Sequence, residues 1–274
     1  IAMLRTLPFN RLSMGIQTFN ESILKVLQRR HTARQAIEAF QNCRAAGFQN
    51  ISIDLMYGLP GETLSTWQQD LDQALLLHPE HLSAYHLIYE EDTVLWKLRE
   101  QHKVEEADED LSVSLFSTLI DRLTSEGYDH YEISNFSLPG LYSRHNSSYW
   151  TEKKYLGCGP SAHSYNGVSR QWNVASLDTY IKGISAGTPV FEIEELDLYT
   201  RYNDFVITRI RTEWGMPLSK LRDEFGEKLY DYCLRMAAPH LKQGTLELVN
   251  DILKLTRKGI FISDGIMSDM LWTD

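Results

Sequence analysis

The apolar positions of the first ninety residues fall into short runs separated by longer stretches of helical period. Leu12-Ser-Met-Gly-Ile16 reads as a strand, and Asn20 can cap a helix over 21–29 with Ile23, Leu24 and Leu27 on its apolar face. Thr32 and Gln35 stand at capping-box spacing before a second helix, which carries Ala36, Ala39, Phe40 and Cys43 and stops at Gly47. The run 51–58 is nearly continuous in apolar character and ends at Gly58 and Pro60, as a strand buried on both faces does. Ser65 and Gln68 predict another capping box, followed by Trp67, Leu71, Ala74 and Leu75 at helical spacing until Pro79. His81-Leu-Ser-Ala-Tyr-His-Leu-Ile88 reads as the next strand. Alternating strands and helices predict an α/β fold of parallel strands joined by right-handed crossovers. Periodicity alone leaves barrel and open sheet both possible, and three such units fall short of a closed barrel, which takes about 200 or more residues.

Further along, an amphipathic helix is predicted over 108–126, ending at Gly127, with a strand over 128–133. Residues 134–176 mix Gly, Ser, Asn, Pro and aromatics without a regular period, so they read as a long loop of the kind that carries function or moves. From about residue 192 the pattern turns helical: 196–211, 218–225 and 227–242. A hairpin over 245–256 turning at Asn250-Asp251 and a last helix over 257–270 complete a winged-helix-like module. The expected organisation is therefore βα units over 1–107, a helix, strand and aromatic-rich loop extension over 108–191, and a mainly helical, winged-helix-like domain over 192–274.

The 274 residues are 43% hydrophobic and 23% charged, the balance of a soluble globular protein. No apolar run approaches the roughly 20 residues of a membrane span, and the N-terminus lacks the basic-then-apolar layout of a signal peptide. The chain does not begin with Met, which predicts a fragment of a longer protein. A net charge of −10 argues against a nucleic-acid partner, which needs a basic surface. The acidic run Glu105–Asp110 suits a solvated helix entry. Cys43, Cys158 and Cys233 are odd in number and far apart, which predicts a reducing, cytoplasmic compartment and no metal-type cysteine pair.

One residue breaks the 51–58 run. A carboxylate left unpaired inside a strand costs on the order of 3 kcal/mol or more, so Asp54 either meets an ion-pair partner or lines a ligand cavity. Gly15-Ile-Gln-Thr-Phe-Asn20, Arg29-Arg-His31, Ile53-Asp-Leu-Met-Tyr-Gly-Leu-Pro-Gly61, Tyr131-Glu-Ile-Ser-Asn-Phe136 and His145-Asn-Ser-Ser-Tyr-Trp150 follow one another in that order. In order and spacing they resemble the radical S-adenosylmethionine proteins related to oxygen-independent coproporphyrinogen III oxidase, especially the oxidase-like branch regarded as haem chaperones. The resemblance spans nearly the whole chain.

It implies a partial parallel (β/α) radical S-adenosylmethionine barrel with the winged-helix-like domain behind it. It also implies S-adenosylmethionine contacts at Gln17, Arg29 and Asp54 and a backbone-type contact at Ile88. Those residue types suit the ligand, since Arg forks onto a carboxylate and Asp accepts from ribose hydroxyls. The His-Asn-x-x-Tyr-Trp motif implies His145 as the axial ligand of haem iron, with Tyr149 and Trp150 against a porphyrin face. Arg144, Lys153, Lys154 and Arg170 stand near enough in sequence to meet propionates, and Cys158 is a rival soft ligand. The family's Cys-x-x-x-Cys-x-x-Cys loop for a [4Fe–4S] cluster does not occur in this sequence, and in the family it lies upstream of the segment matching Leu12. The expectation is that the cluster ligands lie outside this chain, which by itself cannot cleave S-adenosylmethionine. The implied function is binding haem or porphyrin and delivering haem to acceptor haemoproteins, membrane-associated ones included. The alternative is a true coproporphyrinogen III oxidase, an oxidoreductase decarboxylating propionates by radical chemistry.

Overall fold

The computed structural model describes residues 1–273, with every side chain among them except that of Ala2. The chain forms two compact units, Ile1–Ser143 and the remainder from Arg144. The first unit runs α1 (Ala2–Arg5), β1 (Leu12–Gln17), α2 (Glu21–Val26), α3 (Ala33–Ala45), β2 (Ile51–Tyr57), α4 (Leu64–Leu76) and β3 (His81–His86). These strands pair in parallel, Gly15 opposite Asp54 and Asp54 opposite Ser83, as the strand–helix alternation requires. After α5 (Val94–Glu100) and α6 (Glu109–Ser125) come β4 (Asp129–Glu132) and β5 (Asn135–Ser137). β5 adds antiparallel to β3, and β4 antiparallel to β5, giving the order β1-β2-β3-β5-β4. The segment from 108 to 143 thus completes the first sheet.

Successive strand residues point to opposite faces. Ile53, Leu55, Leu82 and Ala84 face one way and are fully or almost fully buried. Tyr57, on the same side, stacks on Phe116 of α6 at 5.8 Å and meets Trp67 of α4 at 5.6 Å, while the Trp67 indole donates to Leu115 O at 3.0 Å. Burying such side chains is worth roughly 1.5–3 kcal/mol each, which seats the helical layer on this face. The opposite face carries Ser13, Gly15, Ser52, Asp54, His81 and Ser83 in register.

The Thr32–Gln35 capping box is present, with Asp108 capping α6 as the acidic run predicts. Three local expectations change. The box before α4 is formed by Thr63 and Thr66, because Thr63 is the extended residue after the Gly61 turn and Ser65 is already helical. Helix α2 stops at Val26, since Gln28 takes a left-handed φ of 53° and Arg29 N bonds back to Leu24 O. Helix α5 was not expected; its Leu95 and Trp96 pack on Leu59, Leu87 and Tyr89.

The second unit holds α7 (Arg144–Trp150), β6 (His163–Tyr165), β7 (Ser169–Asn173), α8 (Leu177–Ser185) and β8 (Phe191–Glu195). It continues with α9 (Leu198–Ile210), β9 (Met216–Pro217), α10 (Leu218–Gln243), β10 (Leu246–Val249), β11 (Ile252–Leu255), α11 (Arg257–Ile260) and α12 (Ser263–Met270). Strands β6, β7 and β8 form an antiparallel sheet. The stretch 134–176 is therefore not one loop, since it holds β5, α7, β6 and β7. Strands of three to five residues with mixed polar and aromatic side chains are too short to show a period.

The winged-helix-like module forms as expected. Asn250 and Asp251 take φ of 50° and 67°, the paired left-handed turn that matches strand twist, and β9 adds a third strand to the hairpin. Gly226, at φ 79°, divides α10 where the pattern changes between 225 and 227. The single helix expected over 257–270 is two, because Ile262 N closes a short turn onto Gly259 O at 3.1 Å.

Candidate functional site

In the first unit the polar residues gather at the end of β1. The pairing with β2 shifts between Gly15 and Gln17, and Gln17 takes a φ of 73°, so the strand buckles there. Arg29 Nη2 donates to Gly15 O at 3.1 Å and His31 Nε2 to Ile16 O at 3.1 Å, which explains the Arg29-Arg-His31 motif as a clasp on the strand's last carbonyls. A Cβ at Gly15 would lie 2.7 Å from Gln17 Nε2 and 3.5 Å from Arg29 Nη2. Gly15 thus keeps a bare stretch of backbone on which Gln17 and Arg29 converge, with Asp54 opposite it in the sheet.

Asp54 accepts only long contacts from Ser13 Oγ, at 3.3 and 3.5 Å, and forms no ion pair among the described residues. The sequence alone left ion pair and ligand cavity open; the fold does not use the first. Arg11 is a cation that feels the charge of Asp54. Burial lowers the Arg11 pKa, while Tyr131 and Asp54 pull it back up, and its Nε is buried without a hydrogen-bond partner. Ile88 lies past the end of β3 and is 71% exposed. The bare Gly15 backbone, the orphaned Arg11 Nε and the carboxylate of Asp54 fit a ligand that has both a carboxylate and hydroxyls.

Sequence reasoning missed the rest of this face. His81 Nδ1 meets Ser52 Oγ at 2.8 Å and its Nε2 meets the Tyr131 hydroxyl at 2.7 Å. Burial, helped by Arg11, pushes His81 down to about 3, so it stays neutral. Ser83 Oγ donates to Asn135 Oδ1 at 2.9 Å, and Asn135 Nδ2 donates to Glu132. The Tyr131–Phe136 motif is thus the turn whose side chains finish the polar face. The signal was available as period-2 alternation repeated in three strands: Ser13 and Gly15, Ser52 and Asp54, His81 and Ser83. Just past β2, buried Glu62 accepts from Gly58 N at 2.7 Å and Leu59 N at 3.3 Å, fixing the Gly-Leu-Pro-Gly turn.

In the second unit His145 lies on a helix, α7, and is exposed. Spacing of four residues puts Tyr149 beside it: Oη and Nε2 are 3.1 Å apart, with the rings edge to face at 5.1 Å. Tyr149 in turn packs edge to face on Tyr155 at 4.9 Å. Trp150 points elsewhere. The Arg211 guanidinium lies 4.4 Å over one face of its ring, so that face is taken by a cation. Just beyond α7, Glu152 accepts from Arg209 Nη2 and Lys220 Nζ, each at 2.9 Å, and anchors the helix. A cavity of about 160 Å³ beside Tyr149 is lined by Lys153, Tyr155, Tyr165, Arg170 and Asp204.

Arg170 is not a free propionate partner, since Asp204 takes it at 2.8 Å and Glu194 stands 3.7 Å away. Arg144, Lys153 and Lys154 are exposed. Cys158 is exposed, whereas Cys43 and Cys233 are buried, and no group of three His, Cys, Asp or Glu among the described residues is placed to hold a metal ion. These cysteines do not fit an iron–sulfur cluster, whose ligands would have to lie elsewhere.

The Radical SAM superfamily profile matches residues 1–74, and the HemN C-terminal domain profile matches residues 196–262. The chain is 29% identical to the heme chaperone HemW of Bacillus subtilis (strain 168), over 99% of this chain and 72% of that one. It is 31% identical to heme chaperone HemW of Lactococcus lactis subsp. lactis (strain IL1403), over 97% of this chain and 70% of the relative. A solved structure of coproporphyrinogen III oxidase (HemN) from Escherichia coli, described as a radical SAM enzyme, superposes with a TM-score of 0.79 at 22% identity. That superposition covers 97% of this chain and 65% of the other, and it establishes the fold: α/β of the radical S-adenosylmethionine type with a helical C-terminal domain.

Proposed function

Because the chain belongs to the HemW heme chaperone family of radical S-adenosylmethionine proteins, we propose that it holds haem and hands it to acceptor haemoproteins. The observation that carries the reading is His145, presented on a short anchored helix with its imidazole in solvent. An imidazole nitrogen is a strong axial ligand for haem iron. A ligand on an open helix face lets an acceptor reach the iron without opening a closed pocket. Haem is cargo here, and acceptors on membranes are approached from the aqueous side; no helix among the described residues is long and apolar enough to cross a membrane. The free thiols Cys43, Cys158 and Cys233 suit the reducing cytoplasm.

In the first unit Gln17, Arg29, Asp54 and the Ile88 backbone are assigned to S-adenosylmethionine. When bound, that ligand supplies a carboxylate and ribose hydroxyls for these groups and, with a reduced [4Fe–4S] cluster, a source of radicals. Arg29 then anchors the carboxylate while Asp54 accepts from hydroxyls. Asp54→Ala in the complete protein is expected to weaken S-adenosylmethionine binding at least tenfold by calorimetry, the worth of one charge-assisted hydrogen bond. Its melting temperature should move by only a few degrees, because no ion pair is broken. Unfolding by several kcal/mol in the absence of ligand would restore the ion-pair reading.

Transfer distinguishes chaperone from oxidase. The complete, cluster-loaded protein is expected to pass haem to an apo-acceptor and to leave coproporphyrinogen III unconverted. Robust turnover of coproporphyrinogen would reject delivery as its sole role.

A further inference from the structure

We propose that the Tyr149 hydroxyl is a release group: it competes with haem iron for Nε2 of His145 and keeps haem affinity low enough for handover. The inference rests on the reading of His145 as the iron ligand. Nε2 offers a single in-plane position, which holds either a lone pair or a proton. With the lone pair at Nε2, the phenol donates to it at 3.1 Å and iron must displace that hydrogen bond. With the proton at Nε2, it is donated to Tyr149, and iron binds only after that proton is carried by Nδ1 and the same contact is given up. In both tautomers the Fe–N bond forms as the Tyr149–His145 hydrogen bond breaks, with the hydroxyl turning to water and no change of oxidation state.

The competitor is held in place. Spacing of four residues on α7 keeps the two rings adjacent, and Tyr149 leans edge to face on Tyr155 at 4.9 Å. Glu152, gripped by Arg209 and Lys220, fixes the helix end. The hydroxyl therefore stays at Nε2 whenever iron leaves, and an acceptor that draws iron away is helped by the hydrogen bond that re-forms. Haem ligated on an open surface is retained weakly, as a carrier requires.

Tyr149→Phe tests this, since it deletes one oxygen and keeps the ring packing on Tyr155. A merely structural role predicts weaker haem binding or none lost. Competition predicts the opposite sign: the Kd for ferric haem falls roughly two- to tenfold, the worth of one exposed hydrogen bond. The nitrogen-ligated absorption spectrum is retained, and transfer to apomyoglobin slows by a similar factor. An unchanged or raised Kd overturns the inference, as does an iron–phenolate resonance Raman signature in the wild type that vanishes in Tyr149→Phe. These results leave haem delivery standing if His145→Ala still removes the nitrogen-ligated spectrum. If His145→Ala leaves that spectrum intact, the reading of His145 falls and this inference with it.

Discussion

His145→Ala is expected to abolish the Soret shift produced by titrating ferric haem into the protein, while Cys158→Ala leaves it nearly intact. The substitution removes the nitrogen that would ligate iron, together with the hydrogen bond and edge-to-face contact to Tyr149 on the same helix. Alanine is the best helix former, so α7 tolerates it. The helix is held by contacts that do not involve His145: Glu152 with Arg209 and Lys220, and Trp150 beneath Arg211. Far-UV circular dichroism and the melting curve should therefore match the wild type. Residual haem association through Tyr149 and Tyr155 would show as weak, unligated absorption, so the coordination spectrum is the decisive readout. An unchanged spectrum in folded His145→Ala would move the ligand elsewhere. Cys158 comes first on exposure, and a double variant would settle it.

How far the sequence carried depends on the kind of signal. Where one residue type answers one backbone demand, sequence and structure agree. Thr32 and Gln35 close their box, Asn250 and Asp251 turn the wing, and Gly226 kinks α10. The capping box at 63–66 was displaced because Thr63 and Ser65 both suit a cap, and only the Gly61 turn decides which is extended. Between 134 and 176 the strands are held by neighbours, as Tyr155 bridges Tyr165 and Ser169–Asn173 pairs on both edges, so no local period marks them. The site divides the same way. Residue chemistry alone singles out Asp54, and only the family resemblance implies Gln17 and Arg29; in the fold Gln17 and Arg29 lie against Gly15, with Asp54 opposite it in the sheet. Neither could show that Trp150 turns to Arg211 while Tyr149 turns to His145, because that choice is made by the partners of α7.

Glu62→Gln is expected to remove a loss of stability of about 3 kcal/mol that the wild type suffers as pH rises from about 4.5 to about 7. Burial raises the Glu62 pKa from 4.5 to about 7; the amides of Leu59 and Gly58 oppose that shift, and the charge of Asp70 adds to it. Its Oε1 is buried without a partner, so the charge gains little on ionising. The folded state therefore keeps a proton that the unfolded chain releases, and the contribution is full below 4.5 and gone above 7. His81 works the other way. Its value is held down to about 3 against an ordinary 6.5, so the unfolded chain takes up the proton first and stability grows as pH rises through that interval. Between 4.5 and 6.5 the two slopes oppose each other and flatten the wild-type profile. Glutamine still accepts from Gly58 N and Leu59 N through its amide oxygen but does not titrate. Urea unfolding of both proteins from pH 4.5 to 8 should show Glu62→Gln gaining on the wild type by about 3 kcal/mol across the interval. Parallel profiles would mean that Glu62 is already ionised in the fold, its charge met by the turn amides alone.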